Sequence, residues 1–105
     1  MNIIESKNYK KAYQKLLKNK SKEQARLENI KNVFIFAKTL HDVIISPYKN
    51  VYHIEQKKGN LKDIYTARIN DKIRLIMYPI GDYPYNTMEI EDIIFEDIDD
   101  KHYKG

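Results

Sequence analysis

Apolar residues recur at helical spacing over the first part of the chain. Between Tyr9 and Leu17 they follow the i, i+3, i+4, i+7 pattern of an amphipathic helix, and Ser6 is well placed as its N-cap. Residues 1–5 ahead of it form either a short strand or a lead-in to the helix. A polar break at residues 18–20 separates this first helix from a second one.

The second helical stretch begins at Ser21, with Gln24 at the spacing of a capping box. Its apolar positions continue at helical spacing as far as Ile44. Because the residue before a proline avoids the α region, we expect this helix to end before Pro47. Two amphipathic helices joined by a short polar break predict an antiparallel helical hairpin.

The pattern changes after residue 50. Residues 64–69 and 73–78 are rich in β-forming residues, and Asn70-Asp71 between them predicts a two-residue turn. Residues 51–55 predict a short strand, and residues 88–98 predict a further strand with a bulge near Glu91. We therefore expect a single α+β domain over residues 1–105, with the helical hairpin packed on one face of a small antiparallel sheet.

A two-residue turn decides which face of the sheet each hairpin side chain occupies. It pairs Arg68 with Ile73 and Ala67 with Arg74, which places the two arginines on opposite faces. The more apolar side is the expected core face, and it holds Ile64, Thr66, Ile73, Leu75 and Met77.

The opposite, open face then carries Arg74 together with Lys72 and Tyr65. Arg68 is expected at the edge of the core beside a carboxylate. A longer turn would change this assignment, because a register shift of one residue moves side chains to the other face.

Composition narrows the class of protein. The absence of cysteine excludes disulfides, thiolate zinc sites and cysteine nucleophiles. No apolar run reaches the ~20 residues of a membrane span, and the N-terminal residues lack the apolar core of a signal peptide. We expect a soluble, cytoplasmic protein that does not enter a membrane.

The charge is distributed unevenly along the chain. Residues 1–62 contain 14 Lys and Arg against 5 Asp and Glu, a net charge of +9, whereas residues 63–105 carry −5. Seven carboxylates lie between Glu89 and Asp100. The basic part suits either a nucleic-acid backbone or a solvated helical surface, and the acidic segment argues against a uniformly basic nucleic-acid binder.

Two groups of residues have side chains suited to phosphate chemistry. Arg74 on the open face is either a cross-strand salt-bridge partner or a guanidinium that clamps a phosphate. Near the C-terminus His102 is a candidate general acid or base, with Asp100 placed to orient its imidazole and Tyr103 beside it. Together they provide the groups needed to cleave RNA without a metal.

Further residues are candidates for RNA contacts. Lys57 and Lys58 precede the hairpin and could lie over a phosphate backbone, and His53 could line the edge of a basic groove. The three histidines lack zinc-ligand spacing, and residues 97–100 lack the glycine and spacing of a calcium loop. We therefore predict neither a metal nor a cofactor.

These residues carry a family resemblance. The run KGNLKDIYTARINDKIRL, from Lys58 to Leu75, followed by Asp100-Lys-His102, resembles the RelE/ParE superfamily of toxins from bacterial type II toxin–antitoxin pairs. The Lys-Gly step, the aromatic-x-x-Arg-Ile-Asn strand and the terminal Asp-x-His are most similar to the HigB-like, or plasmid-killer, branch. The resemblance covers most of the chain.

The resemblance implies a microbial-RNase-like fold and metal-independent, ribosome-dependent cleavage of mRNA through a 2′,3′-cyclic phosphate, which inhibits translation. By motif position, Arg74 would stabilise the phosphorane, and His102 would act as general acid or base, oriented by Asp100. Lys58, the fourth residue of the catalytic set, would contact phosphate or assist in stabilising the charge that builds up. Arg68 matches a family position and is either an RNA contact or a structural residue. With the candidates from the sequence itself, the predicted RNA-binding residues are Lys57, Arg68, Lys72, Tyr103 and His53.

The resemblance also implies a cognate antitoxin, expected to be of the helix-turn-helix type, besides mRNA and the ribosome. Two departures bear on catalysis: Lys101 stands where many relatives have an aromatic residue, and His53 is displaced relative to Gly59, with Glu55 where a histidine is sometimes found. The alternatives are a ParE-like, non-catalytic gyrase inhibitor and a small protein-interaction module.

Overall fold

The helices of the protein lie on one face of a five-stranded mixed sheet. This is seen in a computed structural model that describes residues 1–61 and 63–100. The elements in chain order are β1 (Asn2–Glu5), α1 (Lys7–Leu16), α2 (Ser21–Phe36), α3 (Leu40–Ile44), α4 (Tyr48–Val51), β2 (Glu55–Gln56), a 3₁₀ turn (Gly59–Leu61), β3 (Tyr65–Arg68), β4 (Arg74–Pro79) and β5 (Asp92–Asp99).

The first helix begins where the sequence predicts. The Ser6 hydroxyl accepts the N–H of Tyr9 at 3.1 Å, so the N-cap is confirmed. The prediction that the second helix continues to Ile44 is wrong, because α2 ends at Phe36. The carboxylate of Asp42 accepts the N–H groups of Lys38 at 3.0 Å and Thr39 at 3.3 Å, which fixes a new helix start for α3.

The segment after Pro47 also differs from the prediction. Of residues 51–55 only Glu55 lies in a strand, because the chain first makes one more helical turn, α4, directly after the proline. A proline at a helix start loses no hydrogen bond, since the first N–H groups of a helix have no partner within it. Only Glu55 and Gln56 then pair with β3.

The strand order is β1-β5-β4-β3-β2. β1 pairs with β5 in parallel, so the expected wholly antiparallel sheet is wrong at this edge, whereas the other three strand pairs are antiparallel. Met77 pairs with Phe95 and Ile76 with Asp97, which leaves Glu96 as an extra residue in β5. The bulge therefore lies at Glu96 and not near Glu91.

The core lies between the sheet and helices α1 to α3. Phe95 is at its centre, with ring centroids 5.7 Å from Tyr9 and 5.8 Å from Phe34, the latter in an edge-to-face arrangement. Leu75 and Met77 face this core as predicted, and both are fully buried. No helix in the described part of the chain is long and apolar enough to cross a membrane.

The β3–β4 connection is longer than the sequence predicts. It spans residues 69–73, and the Asn70 side-chain oxygen accepts the N–H groups of Lys72 and Ile73, both at 2.8 Å. The resulting register pairs Arg68 with Arg74. The prediction of a two-residue turn, which put the arginines on opposite faces, is therefore wrong.

This register also corrects the faces of β3. Tyr65 pairs with Met77 and is buried in the core, so its expected place on the open face is wrong. Thr66 pairs with Ile76 on the other face. Arg68 lies on that same open face and not at the core edge beside a carboxylate.

Two phenylalanines of α2, two residues apart, provide a matched test of this packing. Phe34→Ala should lower the free energy of unfolding by about 3–5 kcal/mol, because Phe34 is completely buried against Phe95. Phe36→Ala should change it by less than about 0.5 kcal/mol, since that side chain is 86% exposed. Urea unfolding measures both, and equal effects would contradict the placement of α2.

Candidate functional site

Two arginines lie side by side on the open face of the sheet, the face away from α1 and α2. Arg68 of β3 and Arg74 of β4 are direct cross-strand partners, and Arg74 is paired on its other side with Asp99 of β5. Both side chains are half-buried. Like charges directly opposite each other destabilise an antiparallel pair, so the pairing of Arg68 with Arg74 lowers the stability of the sheet.

Arg74 is held by the connection that precedes it. Its Nη1 donates to the carbonyl oxygen of Asn70 at 2.7 Å and, more weakly, to that of Ile73 at 3.4 Å. Burial, followed by the charge of Arg68, lowers the pKa of Arg74, whereas Asp71 and Glu55 act in the opposite direction. The guanidinium is thus oriented by the backbone, in surroundings where an added negative charge would be favourable.

Arg68 is held differently and keeps an unused donor. Its Nη1 lies 3.4 Å from Nε2 of His53, a residue with a left-handed backbone at φ 50°. Its Nε is buried and has no hydrogen-bond partner among the described residues. A buried donor without a partner costs about 1–3 kcal/mol, so this part of Arg68 lowers the stability of the protein.

No carboxylate of the described residues forms an ion pair with either arginine. The ion pairs found within residues 1–61 and 63–100 are Lys31–Glu5 and Lys57–Glu55, and neither includes Arg68 or Arg74. A forked guanidinium matches the geometry of phosphate oxygens, and two of them can bind one phosphate on two sides. The arginine pair is therefore suited to a phosphate group.

Further titratable side chains share the open face. Tyr78 is partly exposed, and its pKa is raised by burial and by the nearby Asp63, Glu96 and Asp97. Burial also raises the pKa of Asp97, with Asp99 and Glu96 adding to the shift. The arginine pair is thus bordered on the β5 side by the carboxylates of Asp97 and Asp99.

Arg26 of α2 supports the site from behind and was not predicted. Its Nε donates to the carbonyl oxygen of Arg68 at 2.9 Å and its Nη2 to that of Val51 at 3.1 Å. Its guanidinium also stacks on the ring of Tyr52, 4.8 Å from the centroid. The Tyr52 carbonyl accepts the Arg68 N–H at 2.7 Å. The backbone of Arg68 is thus fixed on both sides.

The predicted lysines lie around the site and not within it. Lys57 is largely buried and pairs with Glu55 at 3.6 Å. Lys58 is exposed beside Gly59, in a shallow depression that also includes Tyr83. Lys72 is exposed in the β3–β4 connection. No hydrogen bond joins these three side chains to the arginine pair in the described part of the chain.

The C-terminal candidates fall at the limit of the described residues. Asp100 is exposed directly after β5. His102 and Tyr103, together with Lys101, lie outside the described residues. The described part of the chain contains no group of three or more His, Cys, Asp or Glu side chains arranged to hold a metal ion.

The fold resembles solved structures of bacterial toxins. The sequence itself matches no protein-family model and no curated protein. The YoeB dimer from Staphylococcus aureus superposes with a TM-score of 0.64 at 20% identity, covering 98% of each chain. The YoeB/ParE toxin from Agrobacterium tumefaciens gives 0.63 at 12% identity, covering 98% of this chain and 100% of that one.

A third similar structure is the Escherichia coli DinJ–YafQ toxin–antitoxin complex, with a TM-score of 0.63 at 20% identity over 94% of this chain and 90% of that one. At sequence identities of 12% to 20%, the similarity between this chain and these structures concerns the fold alone. The chain thus has the α+β fold of the RelE-like toxins, and its arginine pair lies on the sheet face away from the helices.

Proposed function

We propose that this protein is the toxin of a type II toxin–antitoxin pair and that it cleaves mRNA on the ribosome without a metal. The observation that carries the proposal is the arginine pair: two half-buried guanidinium groups, paired across the strands, that form no ion pair with a carboxylate of the described residues. The repulsion between the two like charges costs stability in the free protein and is relieved when a phosphate binds.

The chemistry follows from that binding. The 2′-oxygen of a ribose attacks the adjacent phosphorus and gives up its proton, and the bond from phosphorus to the 5′-oxygen breaks as that oxygen takes a proton. The products are a 2′,3′-cyclic phosphate and a free 5′-hydroxyl. Arg74 and Arg68 stabilise the extra negative charge of the phosphorane, which is greater than that of the bound diester.

The proton transfers are assigned by the family resemblance. His102 acts as general acid or base, and Asp100, two residues before it, orients the imidazole. Lys58, Lys57, Lys72, His53 and Tyr103 contact the RNA on either side of the scissile phosphate. Lys57 is already paired with Glu55, so its contribution is smaller than that of the exposed Lys58 and Lys72.

The partner of the toxin is a cognate antitoxin, as the YafQ structure in complex with DinJ illustrates for one protein of this fold. A helix-turn-helix antitoxin and a place in the HigB-like branch remain predictions. The solved structures named above are YoeB and YafQ toxins, so the resemblance to the HigB-like branch rests on the sequence motifs.

A ParE-like inhibitor of gyrase is the second candidate, since one of the similar structures is a YoeB/ParE toxin. A non-catalytic inhibitor does not need two arginines placed to bind one phosphate. Induction of the protein in growing cells, followed by primer extension on mRNA, distinguishes the nuclease from the gyrase inhibitor. Codon-associated breaks support the nuclease, whereas intact mRNA with DNA damage or altered supercoiling supports the gyrase inhibitor.

Arg74→Ala should lower the rate of mRNA cleavage on purified ribosomes about 10²- to 10³-fold, because the group that stabilises the phosphorane is lost. Arg74→Lys should recover only part of the rate, since an ammonium cannot bind phosphate oxygens as a fork. Thermal unfolding should show no loss of stability, because the variant also removes the repulsion from Arg68.

Lys38→Ala is the matched control for charge. Lys38 is exposed between α2 and α3 and uses only its backbone N–H, which donates to Asp42. The control should cleave at close to the rate of the unaltered protein. Full activity of Arg74→Ala, or equal loss in both variants, would show that the arginine pair is not the catalytic site.

His102→Gln should reduce cleavage about 10²- to 10⁴-fold and relieve growth arrest, because glutamine cannot exchange a proton at neutral pH. Asp100→Asn should have a smaller effect, since only the orientation of the imidazole is changed. His41→Gln, in α3, is the control and should remain toxic. Cells that stop growing with His102→Gln would place the general acid or base elsewhere.

A further inference from the structure

The open face of the sheet carries an apolar row at the end away from the arginine pair. Tyr78 of β4 is paired with Ile94 of β5, and Ile94 is paired with Ile4 of β1, so the three side chains lie side by side. Their neighbours in sequence on the other face belong to the core: Ile3, Met77 and Phe95. Tyr78 is 36% exposed, and its ring is therefore open to a planar partner such as a nucleobase.

The apolar row lies on the same strand and the same face as Arg74. Side chains alternate between the two faces of a strand, so Arg74, Ile76 and Tyr78 all project from the open face of β4. The Cα atoms of Arg74 and Tyr78 are about 13 Å apart, at a rise of about 3.3 Å per residue. An RNA strand with one phosphate at the arginine pair therefore has a neighbouring base within reach of Tyr78.

A carboxylate lies between the arginine pair and the apolar row. Asp97 of β5 is paired with Ile76, and its charge acts on the phenol of Tyr78. Its Oδ1 accepts the N–H of Ile98 at 2.8 Å, whereas no hydrogen bond joins its Oδ2 to a described residue. Within residues 1–61 and 63–100 it forms no ion pair with a lysine or an arginine. Asp97 thus keeps acceptor capacity on the open face.

The surroundings of Asp97 favour a ligand that donates hydrogen bonds. Burial raises the pKa of this carboxyl, and the charges of Asp99 and Glu96 raise it further, so its ionised form is held in unfavourable surroundings. An ionised carboxylate accepts at both oxygens and cannot donate. Two N–H donors side by side would therefore stabilise it more than one donor beside an acceptor.

The four RNA bases differ in what they offer to such a carboxylate. Guanine has a ring N–H and an amino group next to each other on its pairing edge. Adenine and cytosine have a ring-nitrogen acceptor beside the amino group, and uracil has its N–H between two carbonyl oxygens. Because these acceptors would face a negative charge, a carboxylate that meets the pairing edge of a base discriminates in favour of guanine.

We propose that Tyr78 and Asp97 form a base-binding subsite that selects guanine next to the scissile phosphate, an inference that rests on the proposed function. The base stacks on the ring of Tyr78 and lies along Ile94, and its two adjacent donors bond to the carboxylate of Asp97. These residues determine which nucleotide is held beside the arginine pair, and they take no part in the proton transfers.

The charges around Tyr78 favour a base over other occupants of this surface. Asp63, Glu96 and Asp97 all act on its hydroxyl, so a phosphate is repelled from this end of the face while an uncharged base is not. A second copy of this chain that packed its apolar row on this one would bring the same carboxylates together, which charge repulsion opposes.

The experiment measures cleavage by the full chain on purified ribosomes, with messages that differ only in the two bases flanking the cleaved bond. Guanine at one of these positions should raise the rate about 5- to 150-fold over the other bases. Asp97→Asn keeps the acceptor for Ile98 but should lose the preference for guanine, because an amide offers one acceptor and one donor, which suits adenine. Glu91→Gln, exposed directly before β5, is the matched control and should keep the preference.

The aromatic ring is tested separately from the carboxylate. Tyr78→Ala should raise the protein concentration that gives half the maximal rate about 5- to 150-fold, because base stacking is lost. Tyr78→Phe keeps the ring and should retain both the affinity and the preference for guanine. The maximal rate should change little in either variant, since the arginine pair is unaltered. Thermal unfolding of each variant checks that the fold is retained.

Three results would overturn the inference. Cleavage without a preference for guanine, or with one that Asp97→Asn leaves unchanged, would exclude the subsite while leaving the proposed function standing. A dimer of the chain alone that Tyr78→Ala dissolves, with cleavage unchanged, would identify a second copy as the occupant of the apolar row. An unaltered chain that does not cleave mRNA at all would remove the proposed function and this inference together.

Discussion

The hydrogen bonds of Asn70 fix the arrangement on which the open face depends. By accepting the N–H groups of Lys72 and Ile73, its side chain holds a five-residue connection between β3 and β4. That length sets the register in which Arg68 faces Arg74, and the Asn70 carbonyl then receives the Arg74 guanidinium. One asparagine thus determines both the pairing of two like charges and the orientation of one of them.

The sequence predicts the elements that depend on local signals. The Ser6 cap and the helical spacing after it define α1, and the β-rich runs locate β3 and β4. The predicted faces of β3 were wrong for a physical reason. Asn and Asp favour tight turns, but hydrogen bonds between the Asn70 side chain and the backbone compete with such a turn. The longer connection shifts the register by one residue, which moves every side chain of β3 to the opposite face of the sheet. Arg74 lies on its predicted face because Leu75 and Met77, on the opposite face of β4, point to the core as predicted.

Contacts between residues that are far apart in the sequence cannot be predicted from the spacing of apolar and polar positions. Arg26 bonds to the carbonyl oxygen of a residue 42 positions away, and nothing in its surroundings on α2 marks it as different from a solvated arginine. The parallel pairing of β1 with β5 likewise joins the first strand to the last. The division of the second helix could have been read from Thr39 and Asp42, whose spacing is that of a capping box.

The position of β5 has a consequence for how the protein folds. β5 is the last strand of the described residues, yet it lies inside the sheet between β1 and β4, and its Phe95 joins the aromatic rings of both long helices. Pairing of β1 with β5 joins residues 90 positions apart, so folding is slow relative to a helical bundle of this size. A growing polypeptide completes the five-stranded sheet, and with it the arginine pair, only after β5 has been synthesised.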